Sequence, residues 1–185
     1  MLFQILTQNS TFVMNFFIVL TGRALDMLST YYVTAKLKLE TNKLARKIGW
    51  KGMILTQIPI IILGSLDLYL AIFIFLWSLY LCSNNLESSW YVRKKGEENY
   101  YEELRDMLRQ TPVKKIVIGE ISMILSFSIS GLLILILVFI FNDFIAAFFI
   151  SLAMICHGVL GSYRSLSYLI SLRKNAINQK KEPKS

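Results

Sequence analysis

The stretch GMILTQIPIIILGSLDLYLAIFIFLWSLYLC, residues 52–82, decides the fold. Its 31 residues are mostly apolar, and Asp67 is the one charged residue among them. As one helix it would be about 46 Å long, well over a hydrocarbon core of about 30 Å. Split in two, it yields legs of roughly 22 Å, short for two full crossings. Gly64-Ser65-Leu66-Asp67 has the residues of a turn, and Pro59 is expected to kink the first leg. The segment therefore predicts either one long kinked span or a hairpin that enters and returns on one side.

The flanking charges weigh on that choice. Residues 36–51 hold six Lys or Arg, residues 83–115 seven, and the tail 173–185 five. A single crossing leaves 12 of these on one side and six on the other; a return puts all 18 on one side. Cytoplasmic loops carry the excess of Lys and Arg, so the hairpin is favoured, with Asp67 at its tip. The N-terminus is then outside and the C-terminus cytoplasmic. The sequon Asn9-Ser10-Thr11 falls on the outer side.

Around this segment lie three other apolar blocks, at about 11–37, 116–141 and 144–172. Exposed backbone is not tolerated in lipid, so each should be a helix. Ser10 or Thr11 would cap the first. The last two are joined by Asn142-Asp143, which has no positive charge and is expected outside. The fold class is thus all-α, a polytopic helical bundle of four to five hydrophobic segments in the cell membrane. Residues 1–172 form one transmembrane domain; 173–185 is a basic tail expected to be disordered. The first 22 residues hold no Lys or Arg, so the basic start of a cleavable signal peptide is missing.

Composition fits this class. Of 185 residues, 55% are hydrophobic and 17% charged, against roughly a quarter charged in soluble domains. A net charge of +8 would suggest nucleic acid in a soluble protein; here it reads as topology and contact with anionic lipid, with no nucleic-acid partner. Cys82 and Cys156 read as small buried apolar residues. With one histidine and no CxxC or HExxH spacing, no metal and no cofactor is expected.

Within the polar segment 86–112, Glu97 to Gln110 reads as a short cytoplasmic helix ending before Pro112. Tyr101, Leu104 and Leu108 share a stripe, and Asp106 can pair with Arg109 at i, i+3. Trp90, Tyr91, Tyr100 and Tyr101 suit the membrane interface. The helix is either a linker or a docking face for a soluble partner.

Ionisable residues inside the apolar blocks are the candidate site, since each is costly in a bilayer. Arg23, Asp26 and Thr30 share one face of the first block, with Asn15 and Thr34 roughly extending it. Arg and Asp three apart can neutralise each other, as a structural pair or as part of a solute or proton path. In the last block His157, Gly161 and Arg164 share a face, beside a small-residue stripe of Ser151, Gly158, Ser162 and Ser165 that suits close helix packing. A pairing of Asp26 with Arg164 or His157 across the bundle is the sharper expectation. Glu120 is expected to reach the cytoplasmic headgroups or to meet Arg164. Asp26 and Asp67 also raise an intramembrane aspartyl protease, but Gly64-Ser65-Leu66-Asp67 has Leu where that motif has its second Gly.

Leu25-Asp26-Met27-Leu28-Ser29-Thr30, followed by Leu39-Glu40-Thr41-Asn42-Lys43, resembles an uncharacterised family of small prokaryotic membrane proteins. Their first span carries Leu-Asp-x-x-(Ser/Thr)-Thr and the next loop Glu-x-Asn-Pro. Asp26, Ser29, Thr30, Glu40 and Asn42 match, and Lys43 stands in place of the proline. The resemblance covers about the first 85 residues. It implies three membrane segments before Ser83 and no assigned activity. Glu40 is expected to pair with Lys36 or Lys43, or to accept backbone N–H groups where the next helix starts.

Three functions follow as expectations. The leading one is a non-enzymatic accessory or scaffold subunit of a membrane assembly, or a homo-oligomer. The alternative is a small transporter or channel using Arg23, Asp26, His157 and Arg164. An intramembrane enzyme comes last.

Overall fold

The computed structural model describes residues 2–87, 89–141 and 144–179. Among them the chain forms seven helices and no strand. These are α1 (Leu2–Val33), α2 (Lys43–Gly64), α3 (Leu68–Glu87), α4 (Ser89–Lys95), α5 (Glu97–Gln110), α6 (Val113–Phe141) and α7 (Phe144–Gln179). Four of them, α1, α3, α6 and α7, are long and apolar enough to cross a membrane.

The segment at 52–82 is a hairpin. α2 ends at Gly64, and the N–H of Ser65 closes it onto Ile61 and Ile62. Asp67 then starts α3 by accepting the N–H of Leu70 at 2.9 Å. The legs are longer than the apolar stretch suggested. α2 begins at Lys43, capped by the Asn42 side chain, and α3 runs on to Glu87. The break in α2 falls at Gly49 rather than at Pro59. Its φ of 65° and ψ of −172° belong to a region that only glycine enters readily. Beyond Gly49, α2 is about 22 Å long, short of a full core. Three helices, α1, α2 and α3, begin before Ser83, and of these α1 and α3 are long and apolar enough to cross a membrane.

α1 and α3 pack along their length, α6 and α7 do the same, and α3 joins the pairs by packing on α7. Glycines set the close approaches. A Cβ on Gly22 would lie 3.0 Å from the backbone of Phe75. One on Gly131 would lie 3.0 Å from the carbonyl of Ser151, and one on Gly158 2.6 Å from the Cβ of Phe127. The expected small-residue stripe is therefore a packing surface, but its partner is α6 of the same chain. Ser151, Gly158 and Ser162 are buried there, and Ser165 donates to Glu120 of α6 at 2.5 Å.

Several boundaries move. α1 starts at Leu2, so Ser10 and Thr11 lie inside a helix and do not cap it; nothing before Gly22 breaks helical backbone. It stops at Val33 because the next residues turn onto α5. α7 passes the expected end at Leu172 and reaches Gln179, held by Arg173 Nε donating to the carbonyl of Thr111 at 3.0 Å and by buried Ala176. The expectations for Asn142-Asp143 and for the tail from 180 onward lie outside the described residues.

The helix at Glu97–Gln110 has the expected bounds, and Asp106 meets Arg109 at 3.8 Å. Its apolar stripe is no open docking face. Tyr101, Leu104 and Leu108 pack with Ile116, Tyr168 and Leu172, covering the base of α7. Gly96, at φ 82°, turns the chain from α4 into it.

Replacing Gly158 by alanine should force α6 and α7 apart and cost about 1–3 kcal/mol, the usual penalty of overpacking. Gly119→Ala, where a Cβ meets nothing within 4 Å, should be neutral or slightly stabilising. Thermal unfolding in detergent checks both; equal effects would contradict the packing described.

Candidate functional site

A cavity of about 790 Å³ opens between α1, α2, α3 and α7. Its size is that of a small-molecule site. Every ionisable residue expected to mark a site in α1 and α7 lines it: Arg23, Asp26, His157 and Arg164, together with Thr30 and Gly161. Glu40 and Asn42 of the α1–α2 loop line it too.

Arg23 is the centre of the α1 side. Its guanidinium meets Asp26 at 2.9 Å and donates to Gln57 of α2 at 2.7 Å and to Ser78 of α3 at 3.2 Å. Six and seven residues beyond Arg23 along α1, Ser29 and Thr30 accept from Asn85 of α3 at 3.0 and 2.9 Å. Both hydroxyls in turn donate to the Asp26 carbonyl. At the opposite end of the stripe, Asn15 Nδ2 donates to the Ser65 carbonyl at 3.3 Å. The polar face of α1 is thus consumed in binding the hairpin, and part of it still faces the cavity.

The α7 side is less saturated. His157 is buried between Tyr80 and Phe127, with ring centroids 5.4 and 4.8 Å away, and its Nδ1 has no partner. Arg164 makes no direct hydrogen bond or ion pair among the described residues. The expected direct pairing of Asp26 with Arg164 or His157 is therefore replaced by Asp26–Arg23, because the partner three residues away on the same helix is already in reach. Glu120 does not pair with Arg164. It turns into the α6–α7 seam toward Ser165, leaving Oε2 buried without a partner.

The loop between α1 and α2 closes the polar end of the cavity. Glu97 at the start of α5 accepts three donors from it: the Thr34 hydroxyl at 2.5 Å, the Lys36 N–H at 2.9 Å and the Lys38 N–H at 2.8 Å. Glu98 pairs with Lys36 and Lys38, and these contacts hold its carboxyl below the usual range, Lys38 first. Tyr168 of α7 donates to the Lys38 carbonyl at 2.8 Å, and Arg46 lies over its ring at 4.9 Å.

So held, the loop places Glu40 beside the intramembrane charges. Glu40 accepts the N–H of Asn42 at 2.7 Å, the backbone alternative among its expected partners; Lys36 pairs with Glu98 instead. Asn42 Oδ1 accepts the N–H groups of Leu44 and Ala45. Burial pushes the Glu40 carboxyl up from its ordinary 4.5. The Asn42 N–H opposes that, nearby Asp26 adds to it, and Arg164 and Arg46 pull it back.

Asp67, by contrast, stays at the hairpin tip, next to Asn15 rather than Asp26 along α1. Those levels are eleven residues, about 16 Å, apart on a helix. The two aspartates cannot share a proton or a water, which removes the aspartyl-protease reading. Cys82 and Cys156 are free and half-buried, not enclosed as expected.

Gln57, Ser78, Asn85, Glu97 and Tyr168 were not singled out from the sequence. Gln57 and Ser78 did carry a signal, as lone polar residues in apolar helices; Glu97 and Tyr168 looked like ordinary interface residues. No protein-family model, curated protein or solved structure matches the chain.

A raised carboxyl pKa means that the fold favours the neutral acid. The stability Glu40 contributes is full below its unfolded value and is lost as pH rises through its folded value. The melting temperature of Glu40→Gln minus that of the wild type should therefore increase between about pH 4 and about pH 8. A flat or falling difference would show that Glu40 is not desolvated.

Proposed function

We propose that the chain is a multi-pass membrane protein that binds a polar ligand in this cavity and carries or passes it, the small-transporter reading. The observation that carries it is the convergence of Arg23, Asp26, His157 and Arg164, all within apolar helices long enough to span a membrane, on one cavity that Glu40 of the α1–α2 loop also lines. Intramembrane ionisable groups that face a cavity are functional candidates by default. Four positions of the family-like pattern, Asp26, Thr30, Glu40 and Asn42, line the same space, which adds support.

Two of the features that favoured the accessory-subunit reading have partners within the chain. The small-residue stripe packs on α6, and the stripe of α5 packs on α7. Neither is left to face a partner.

For orientation, the loop 34–42 and the segment 89–112 gather at one end through Thr34–Glu97, Tyr168–Lys38 and Arg173–Thr111. The hairpin tip lies at the other, beside Asn15. The basic end is the cytoplasmic one by charge bias, with the N-terminus outside and the cell membrane as location.

The test is hydration of the cavity at depth. Single cysteines at Gly161 and at lipid-facing Ile129 would be exposed to a membrane-impermeant, charged thiosulfonate in sealed vesicles, in a Cys82→Ser/Cys156→Ser background. Gly161→Cys should react from the basic side and Ile129→Cys should not. If neither reacts, the cavity is dry and the proposal fails.

A further inference from the structure

The lining of the cavity is divided along its axis. Glu40, Asn42, Asn84 and Arg164 stand at the basic end beside Leu39 and Leu44, the Arg23–Asp26 pair lies at the level of Trp77 and Gln57, and Ile60, Phe73 and Ile74 stand one turn nearer the hairpin tip. Trp77 and Asn84 are seven residues, about 10 Å, apart on α3. The lining thus grades from polar at the basic end, through the self-paired Arg23–Asp26 layer, to apolar nearest the hairpin tip. A lipid in that leaflet has the same polarity and the same direction.

The charges favour one kind of headgroup. Arg23 is used by Asp26, Gln57 and Ser78, and Arg46 lies over Tyr168. Arg164 faces the cavity within electrostatic reach of Asp26 and Glu40, but makes no hydrogen bond or ion pair among the described residues. A guanidinium presents a planar fork of donors that fits the two free oxygens of a phosphodiester. Glu40, the carboxylate most able to oppose an anion there, is the group that burial drives toward its neutral form.

The wall also has a side entrance. α2 meets α3 sparsely, closest where Gly64 approaches Ile74, and has no extended contact with α7. Its outward residues Ile54, Leu55, Ile58 and Ile62 are exposed as a lipid-facing helix requires. A ligand in the bilayer can enter past α2 without crossing water.

We infer that the cavity holds one phospholipid from the leaflet at the basic end, its phosphodiester on Arg164 and its acyl chain along Ile60, Ile74 and Trp77. This rests on the proposed hydrated cavity and specifies its ligand. The test is native mass spectrometry of the detergent-purified chain with dioleoyl phosphatidylglycerol, dioleoylglycerol or glycerol 3-phosphate as probe. One phosphatidylglycerol per chain should be retained, about tenfold or more in preference to the diacylglycerol, and glycerol 3-phosphate should not displace it. Arg164→Gln should abolish the preference. Ile60→Trp, which fills the apolar half and keeps the arginine, should also reduce retention; it serves if Arg164→Gln does not fold. Retention unchanged in both variants would mean annular lipid and overturn the inference. Displacement by glycerol 3-phosphate would overturn it too, in favour of a soluble phosphate. If Gly161→Cys is reactive but the lipid preference is absent, only this inference fails; if it is unreactive, the underlying reading fails.

Discussion

The arrangement depends on the Arg23 guanidinium. It reaches Asp26 on its own helix, Gln57 on α2 and Ser78 on α3. In lipid, an arginine without partners costs several kcal/mol, so this set of contacts fixes the rotation of α1 and the approach of both hairpin legs at once. It also requires the chain to turn back between residues 57 and 78, which it does at Ser65-Leu66-Asp67. Without that turn, one side chain could not touch both legs at the same depth. Removing Asp26 alone would leave a buried charge, the costly way to break such a pair.

The second half of the bundle answers a different constraint. α7 must pack on α6 and α3 and still leave its His157–Arg164 face open. Small residues make this possible: Gly158 and Ser162 bring α6 close on one side, while Gly161 keeps the cavity side low. The clamp at the basic end then sets the cavity's rim. Glu97 gathers three donors of the α1–α2 loop, and Tyr168 holds the same loop from α7. Glu40 comes to Arg164 and Asp26 through that loop, not through a helix of its own.

The hairpin was legible in the sequence because charge bias and turn residues agreed: all basic loops wanted one side, and Gly64 to Asp67 offered a bend. The Arg23–Asp26 pair was legible from helical spacing. The two stripes were legible as faces but not as interfaces, since periodicity says that Leu108 or Gly158 is covered without saying by what. The Gly49 break was hidden because Pro59 was the louder local signal, although a positive φ needs glycine. Glu97 and Asn85 could not be found from spacing at all. They act across 55 to 63 residues of chain, and only the packing of α3 and α5 brings them to α1.

The return of the chain through α2 and α3 carries the rest, and sidedness tests it most directly. Single cysteines replacing Lys43, before α2, and Lys94, after α3, would be labelled with an impermeant maleimide in sealed vesicles, again without Cys82 and Cys156. Both should label from the same side. Labelling from opposite sides would mean that the segment crosses once, that Arg23 cannot hold Gln57 and Ser78 together, and that the cavity does not exist as described.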